Sequence, residues 1–251
     1  MSRFNNFKIQ LENLRNEADT VAKYVYSDMA IKHAASQSKN LLYRLNKTPM
    51  FWLTCGAALQ TSAYISIRRV FDKSSDARYT IWKLLDSFQS NLQIFQRDAL
   101  ADRKRNGNQQ DPSWLAEYLD NAYYPSLKDV DEIRNMVQLH SEICTRIIRP
   151  ATDKYLAHRE KQDHTEVRDL FARGEVQELW TLSTFLIQLS NVLWELLENG
   201  RKPEFKPIMK SIDSIFDSST HSNQTHELIV REVKELMHFL DKSTFPLSNT
   251  D

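Results

Sequence analysis

The sequence predicts an all-α fold, an antiparallel multi-helix bundle of about seven to eight helices, on three observations. Apolar residues recur at steps of three and four over long segments, the period of a helix with one buried stripe. Glycine is scarce, four in 251 residues, where average usage gives about 17. The repeated positive-φ turns of sandwiches, barrels and propellers are therefore not encoded, nor is a glycine-rich phosphate loop. Finally, 41% hydrophobic and 26% charged residues in a chain of this length suffice for a buried core, and no internal repeat divides it. The expected organisation is a single all-helical domain over 1–251, with a long N-terminal helical stretch over 1–48 and a tail from 243.

The elements follow in order. Phe4, Phe7, Leu11, Leu14, Ala18, Val21 and Val25 mark a long amphipathic helix over 4–33. Its pattern continues through Leu41, Leu42 and Leu45 after a break near Ser36 to Ser38. The Thr48-Pro49 step starts a second helix over 49–72, since proline suits a first helical turn. Phe51, Trp52, Leu53, Leu59, Tyr64 and Ile67 make that helix apolar almost all round, so the expectation is that it lies mid-bundle. Ile81, Trp82, Leu84, Leu85 and Phe88 predict a shorter helix capped from Ser74, Ser75 or Asp76. Residues 106–112 read as a loop. A helical pattern then runs over 126–160 through Val130, Ile133, Val137, His140, Cys144, Ile147, Ala151, Tyr155 and His158, interrupted at Pro150 by an expected kink or restart. Leucine and valine at a seven-residue spacing from Val176 to Leu196 predict the most buried helix, over 175–199. Amphipathic pieces at 203–217 and 222–242 close the pattern.

Equal numbers of basic and acidic residues, 33 each, exclude a whole-molecule field that gathers nucleic acid or anionic lipid. No apolar run approaches the roughly 20 residues of a membrane span, and the first residues carry no apolar signal core, so the expected place is the cytoplasm and no membrane partner is expected. Cys55 and Cys144 fall within helical patterns, as reduced core thiols do. Of the two Glu-x-x-His pairs that a di-metal helical bundle requires, one is present, Glu235-x-x-His238. The zincin, nucleophile-elbow and Cys-x-x-Cys patterns do not occur, so neither a metal nor another cofactor is expected.

The richest chemistry lies in Asp153-Lys154-Tyr155-Leu156-Ala157-His158-Arg159, which sets an imidazole beside an acid and two cations. Metal-free RNA cleavage uses such a set: a group that takes the 2′-hydroxyl proton and returns one to the leaving oxygen, and cations that offset phosphorane charge. A hydrogen-bonded histidine on a helix stripe fits the same residues. This stretch resembles the Arg-Asp-Lys-x-x-Ala-His signature of HEPN domains, in particular their abortive-infection-like branch. Ser66-Ile67-Arg68-Arg69-Val70-Phe71-Asp72 is similar to that branch's Arg-x-x-Asp helix end, and the resemblance spans about 50–240. It implies an all-helical, metal-independent endoribonuclease, with a homodimer whose two His-bearing helices line one cleft. His158 would be general base or acid and Asp153 would orient it. The sequence departs from the signature at Thr152, where the family carries arginine, so phosphate contact passes to Lys154, Arg149 or Arg159.

A reserve set, Arg134, Asn135 and His140, follows a looser Arg-to-His spacing; on a helix the two ends can edge one cleft. Arg97, Arg103, Lys104 and Arg105 suggest either an RNA-facing rim or a solvated helix end. Two functions remain open: an HEPN-like protein of phage-defence or toxin-antitoxin type acting on RNA, with a separate antitoxin-type protein partner, or a non-catalytic helical scaffold that binds protein.

Overall fold

The computed structural model describes residues 2–105, 107, 110–153, 176–206, 209–218 and 224–243. Every regular element among these residues is helical. Helix α1 spans Arg3–Gln37, and the Ser2 hydroxyl caps it by accepting from the Asn5 N–H at 3.2 Å. Its stripe of Phe7, Leu11, Leu14, Ala18, Val21 and Val25 is buried, as its spacing requires. Ala22, Ala30 and Ala34 add small buried surfaces on which neighbouring helices sit close.

The break falls on Ser38. Its extended backbone ends α1, and its hydroxyl caps α2 (Lys39–Leu45) by accepting from the Leu41 N–H at 3.1 Å. Helix α3 (Pro49–Val70) has proline in its first turn. Thr80, rather than the earlier polar turn, caps α4 (Ile81–Ser90) by accepting from the Lys83 N–H at 3.3 Å. A 3₁₀ turn (Leu92–Phe95) leads to α5 (Arg97–Arg105), and α6 covers Leu115–Asn121. Helix α7 spans Leu127–Ile143 and α8 spans Val176–Asn199. Among the described residues of the expected piece over 203–217 only α9, Ile212–Asp217, is helical; Pro203 has no N–H to give to a helical ladder. Helix α10 spans Thr225–Lys242.

Helix α1 packs against α3, α8 and α10 and is the axis of the bundle. Leu182, Phe185, Leu186, Leu189, Leu193, Leu196 and Leu197 of α8 are buried against it and its neighbours, which places the seven-residue repeat in the chain's own core. Tyr26 links three segments: its hydroxyl donates to the Lys210 carbonyl at 3.1 Å and accepts from the Trp180 indole N–H at 3.0 Å. Phe95 packs edge-on against both Phe7 and Phe88 at the far end, with Phe88 and Phe95 centroids 4.8 Å apart.

The expectation that α3 lies mid-bundle is overturned over its first half. Only Ala63, Tyr64, Ser66, Ile67 and Val70 are buried, whereas Met50, Phe51 and Leu53 are 76%, 59% and 70% exposed. All-round apolar character fits a buried helix, but α3's packing partners are α1 and the chain around 144–152, and the residues of α3 that become buried all lie in its second half.

Candidate functional site

Helix α7 does not stop at Pro150. It continues as a π-turn, Cys144–Ile148, and one further α-turn, Arg149–Thr152. The Arg149 N–H donates to the Cys144 carbonyl five residues back. A proline in a helix lacks one donor and presses on the carbonyl four residues before it, here that of Arg146; a π-turn widens the spiral there and relieves both effects. The interruption read from the sequence is thus a change of helical pitch rather than a restart, and Thr152 and Asp153 leave it with a register different from that of a plain α-helix.

That register faces Thr152 and Asp153 toward the C-terminal end of α3. Thr152 is 1% exposed, and its hydroxyl donates back to the Ile148 carbonyl at 2.9 Å. The same oxygen lies 2.6 Å from Nη1 of Arg68, which also forms an ion pair with Oδ1 of Asp153. So where the signature's arginine is replaced by threonine, a guanidinium from α3 rests against that threonine and the acid after it. Arg68 is 40% exposed, and both of these contacts run through Nη1, whereas a guanidinium carries five donors.

Arg149 is exposed and stands close enough to act electrostatically on Asp72 and Cys144. The Ser74 backbone N–H, donating to Asp72 at 2.9 Å, holds the Asp72 carboxyl below its ordinary range, with Arg149 and Arg68 contributing. Burial pushes the Cys144 thiol up to about 11 against the pull of the same two arginines. The geometry therefore gathers two arginines and two aspartates where α3 ends and the π-turn helix emerges. His158, Lys154 and Arg159 lie outside the described residues.

The reserve set is not brought together. Arg134 donates from Nη2 to Oδ1 of Asp86 on α4 at 2.9 Å and to Oε1 of Gln89 at 3.2 Å. The His140 ring stacks on Phe185 of α8, centroids 3.6 Å apart and planes within 6°. Its Nδ1 lies 2.8 Å from the Met136 carbonyl, and burial pushes its pKa down. Asn135 is exposed. Arginine and histidine thus reach different neighbours, and a stacked, half-buried imidazole is poorly placed to meet substrate.

The cations of α5 serve the bundle. Half-buried Arg103 donates to the Ile94 carbonyl at 2.8 Å and to the Leu197 carbonyl at 2.7 Å, one of the unpaired carbonyls at the end of α8. Lys104 donates to Asn199, while Arg97 pairs with Asp120 and Arg105 with Asp102. Sequence reasoning missed a cleft of about 910 Å³ beside them, where Lys104 meets Trp114, Tyr118 and Lys202. The spacing of Trp114 and Tyr118, one turn apart, was its available signal. It opens at the far end of α8, a helix of 24 residues and so about 36 Å long, whereas the arginine pair stands near the end where Glu178 bonds Arg146 at 2.7 Å.

Among the described residues no three histidine, cysteine or acidic side chains converge as a metal cluster, and no helix is long and apolar enough to cross a membrane. Comparison with known families finds that the HEPN family model described as AbiU2 matches residues 4–239. No curated protein and no solved structure matches the chain.

Proposed function

Because the chain belongs to the AbiU2 family of HEPN proteins, which is associated with abortive infection, we propose that it acts in phage defence as a metal-independent endoribonuclease. The observation that carries this reading is the placement of Arg68 against Thr152 and Asp153. It supplies, from another helix, the cation that the signature lacks at position 152. In the proposed reaction the His158 imidazole takes the proton from a ribose 2′-hydroxyl, and the 2′-oxygen attacks the adjacent phosphorus. The 5′-oxygen leaves with a proton returned by an imidazolium, giving a 2′,3′-cyclic phosphate and a free 5′-hydroxyl. Asp153 orients the imidazole, while Arg68, Arg149 and Lys154 offset the charge of the phosphorane. Two such sites would face each other in a homodimer, and a separate antitoxin-type protein would restrain them.

A second reading, a non-catalytic helical scaffold, draws on the same contact, since Asp153 already neutralises Arg68. One assay separates the two. Purified full-length wild type, His158→Ala and Arg68→Ala are incubated with structured and single-stranded RNA in EDTA. The nuclease reading expects cleavage to cyclic-phosphate ends by wild type, none by His158→Ala, and a loss of about 10²-fold or more for Arg68→Ala. An inert wild type, or cleavage unchanged by His158→Ala, overturns it and leaves the scaffold.

A further inference from the structure

The chain is neutral overall, yet between Asp28 and Asp72 it contains no acidic residue and six cations, Lys32, Lys39, Arg44, Lys47, Arg68 and Arg69. Three of these are held by carboxylates elsewhere in the fold: Lys32 pairs with Asp28, Arg69 with Glu17 and Arg68 with Asp153. The other three, Lys39, Arg44 and Lys47, take part in none of the ion pairs among the described residues. Arg44 and Lys47 edge the exposed first half of α3, and Lys39 opens the short helix that carries Arg44. Among the described residues Asp28 is engaged by Lys32 and Gln60, and Asp241 by Ser38 and Asn40.

Beside Arg44 and Lys47 the surface is apolar and concave. Trp52 and Leu45 form a ridge shared by two grooves. One, of about 830 Å³, runs between α1 and α3 past Ile31, Ala35, Leu42, Leu53 and Ala57. The other, of about 520 Å³, lies toward the end of α10 and is edged by Arg44, Lys47, Phe51 and Leu240. Met50, Phe51 and Leu53 stand proud of the ridge, mostly in water. Contiguous apolar surface rimmed by charge marks an interaction site.

Charge and shape select the occupant. A second copy of this chain, docked by a two-fold axis, would set the Lys39, Arg44 and Lys47 of both copies near one another and gain no carboxylate. A bilayer is flat on this scale and would leave both grooves unfilled. A single helix, about 10 Å across, fits a groove of this kind with residues one turn apart. We propose that the α2–α3 face docks an amphipathic helix of another protein, apolar on one side and carrying aspartate or glutamate on its flanks. The proposal stands apart from the nuclease reading, because none of its residues belongs to the Arg68 site.

The test uses the full chain and two fluorescein-labelled synthetic peptides of about five helical turns, both with leucine on one face, one flanked by glutamate and the other by lysine. Anisotropy should show the glutamate peptide binding at least about tenfold more tightly, with affinity falling as salt rises. Phe51→Ser with Leu53→Ser should remove that binding while circular dichroism and the melting curve stay as in wild type. Arg44→Glu with Lys47→Glu should reverse the preference toward the lysine peptide. The proposal fails if neither peptide binds, if both bind equally, or if the charge reversal leaves the preference unchanged. It also fails if phosphatidylglycerol vesicles retain the chain while the peptide does not compete, or if wild type is a dimer that Leu53→Ser dissociates.

Discussion

At the scale of single residues, charge placement decides behaviour. His226 is 2% exposed, faces Tyr26 and has its Nε2 buried without a partner among the described residues. Burial pushes the His226 pKa below its ordinary 6.5, and the same cause lowers that of His140. The unfolded chain therefore binds protons that the folded chain refuses as pH falls below about 6.5. Thermal stability should be level above that range and fall from pH 7 to pH 5, with His226→Phe flattening part of the slope; a melting temperature independent of pH over this interval contradicts it. The thiols should separate as well. Cys55 is half-buried, whereas the Cys144 thiol is buried and raised to about 11. At pH 8 a soluble maleimide should add quickly to Cys55 and reach Cys144 only after denaturation, which mass spectrometry reads directly.

At the scale of elements, helix junctions carry the constraints. Gly200 ends α8 with φ +57°, and a Cβ there would stand 2.7 Å from Cδ2 of Leu100. Gly200→Ala meets both a strained backbone and a clash, so it should destabilise by about 1–3 kcal/mol in urea unfolding. The π-turn before Pro150 sets where Asp153 points. Pro150→Ala restores a donor and lets the turn relax to an α-helix, turning every later residue by up to about 100°. Such a variant should keep its fold, gain thermal stability and lose RNA cleavage; unchanged cleavage would show that the turn does not position the site.

These junctions also mark the limit of what the sequence states. The stripes of α1 and α8 were legible because each places apolar residues at helical spacing, and the break at Ser38 because serine caps helices. The register change at Pro150 was legible as a disturbance but not as a π-turn, since proline says that a hydrogen bond is lost and not how the chain absorbs the loss. The contact between Arg68 and Thr152 was not legible at all: the two lie 84 residues apart, and no local pattern joins them. Helix α3 misled because periodicity reports how much of a helix is apolar, not which neighbours reach it.

At the scale of the whole molecule, a net charge of zero conceals an uneven distribution. Arg103 closes the end of α8, Arg44 and Lys47 edge an apolar groove, and Arg68 with Arg149 stand at the signature segment. A neutral molecule organised in this way should bind RNA at one place rather than over its surface. Cleavage should therefore weaken less steeply with salt than it would for a protein that grips many phosphates.

The central claim is that the guanidinium of Arg68 does the work of the arginine missing at position 152. The direct measurement is RNA cleavage in EDTA by Arg68→Ala and by Arg68→Ala combined with Thr152→Arg, both checked for folding by circular dichroism. If the claim holds, the single variant loses about 10²-fold or more and the double variant recovers at least about tenfold of that loss. Full activity in Arg68→Ala, or a folded double variant as inactive as the single one, would contradict it.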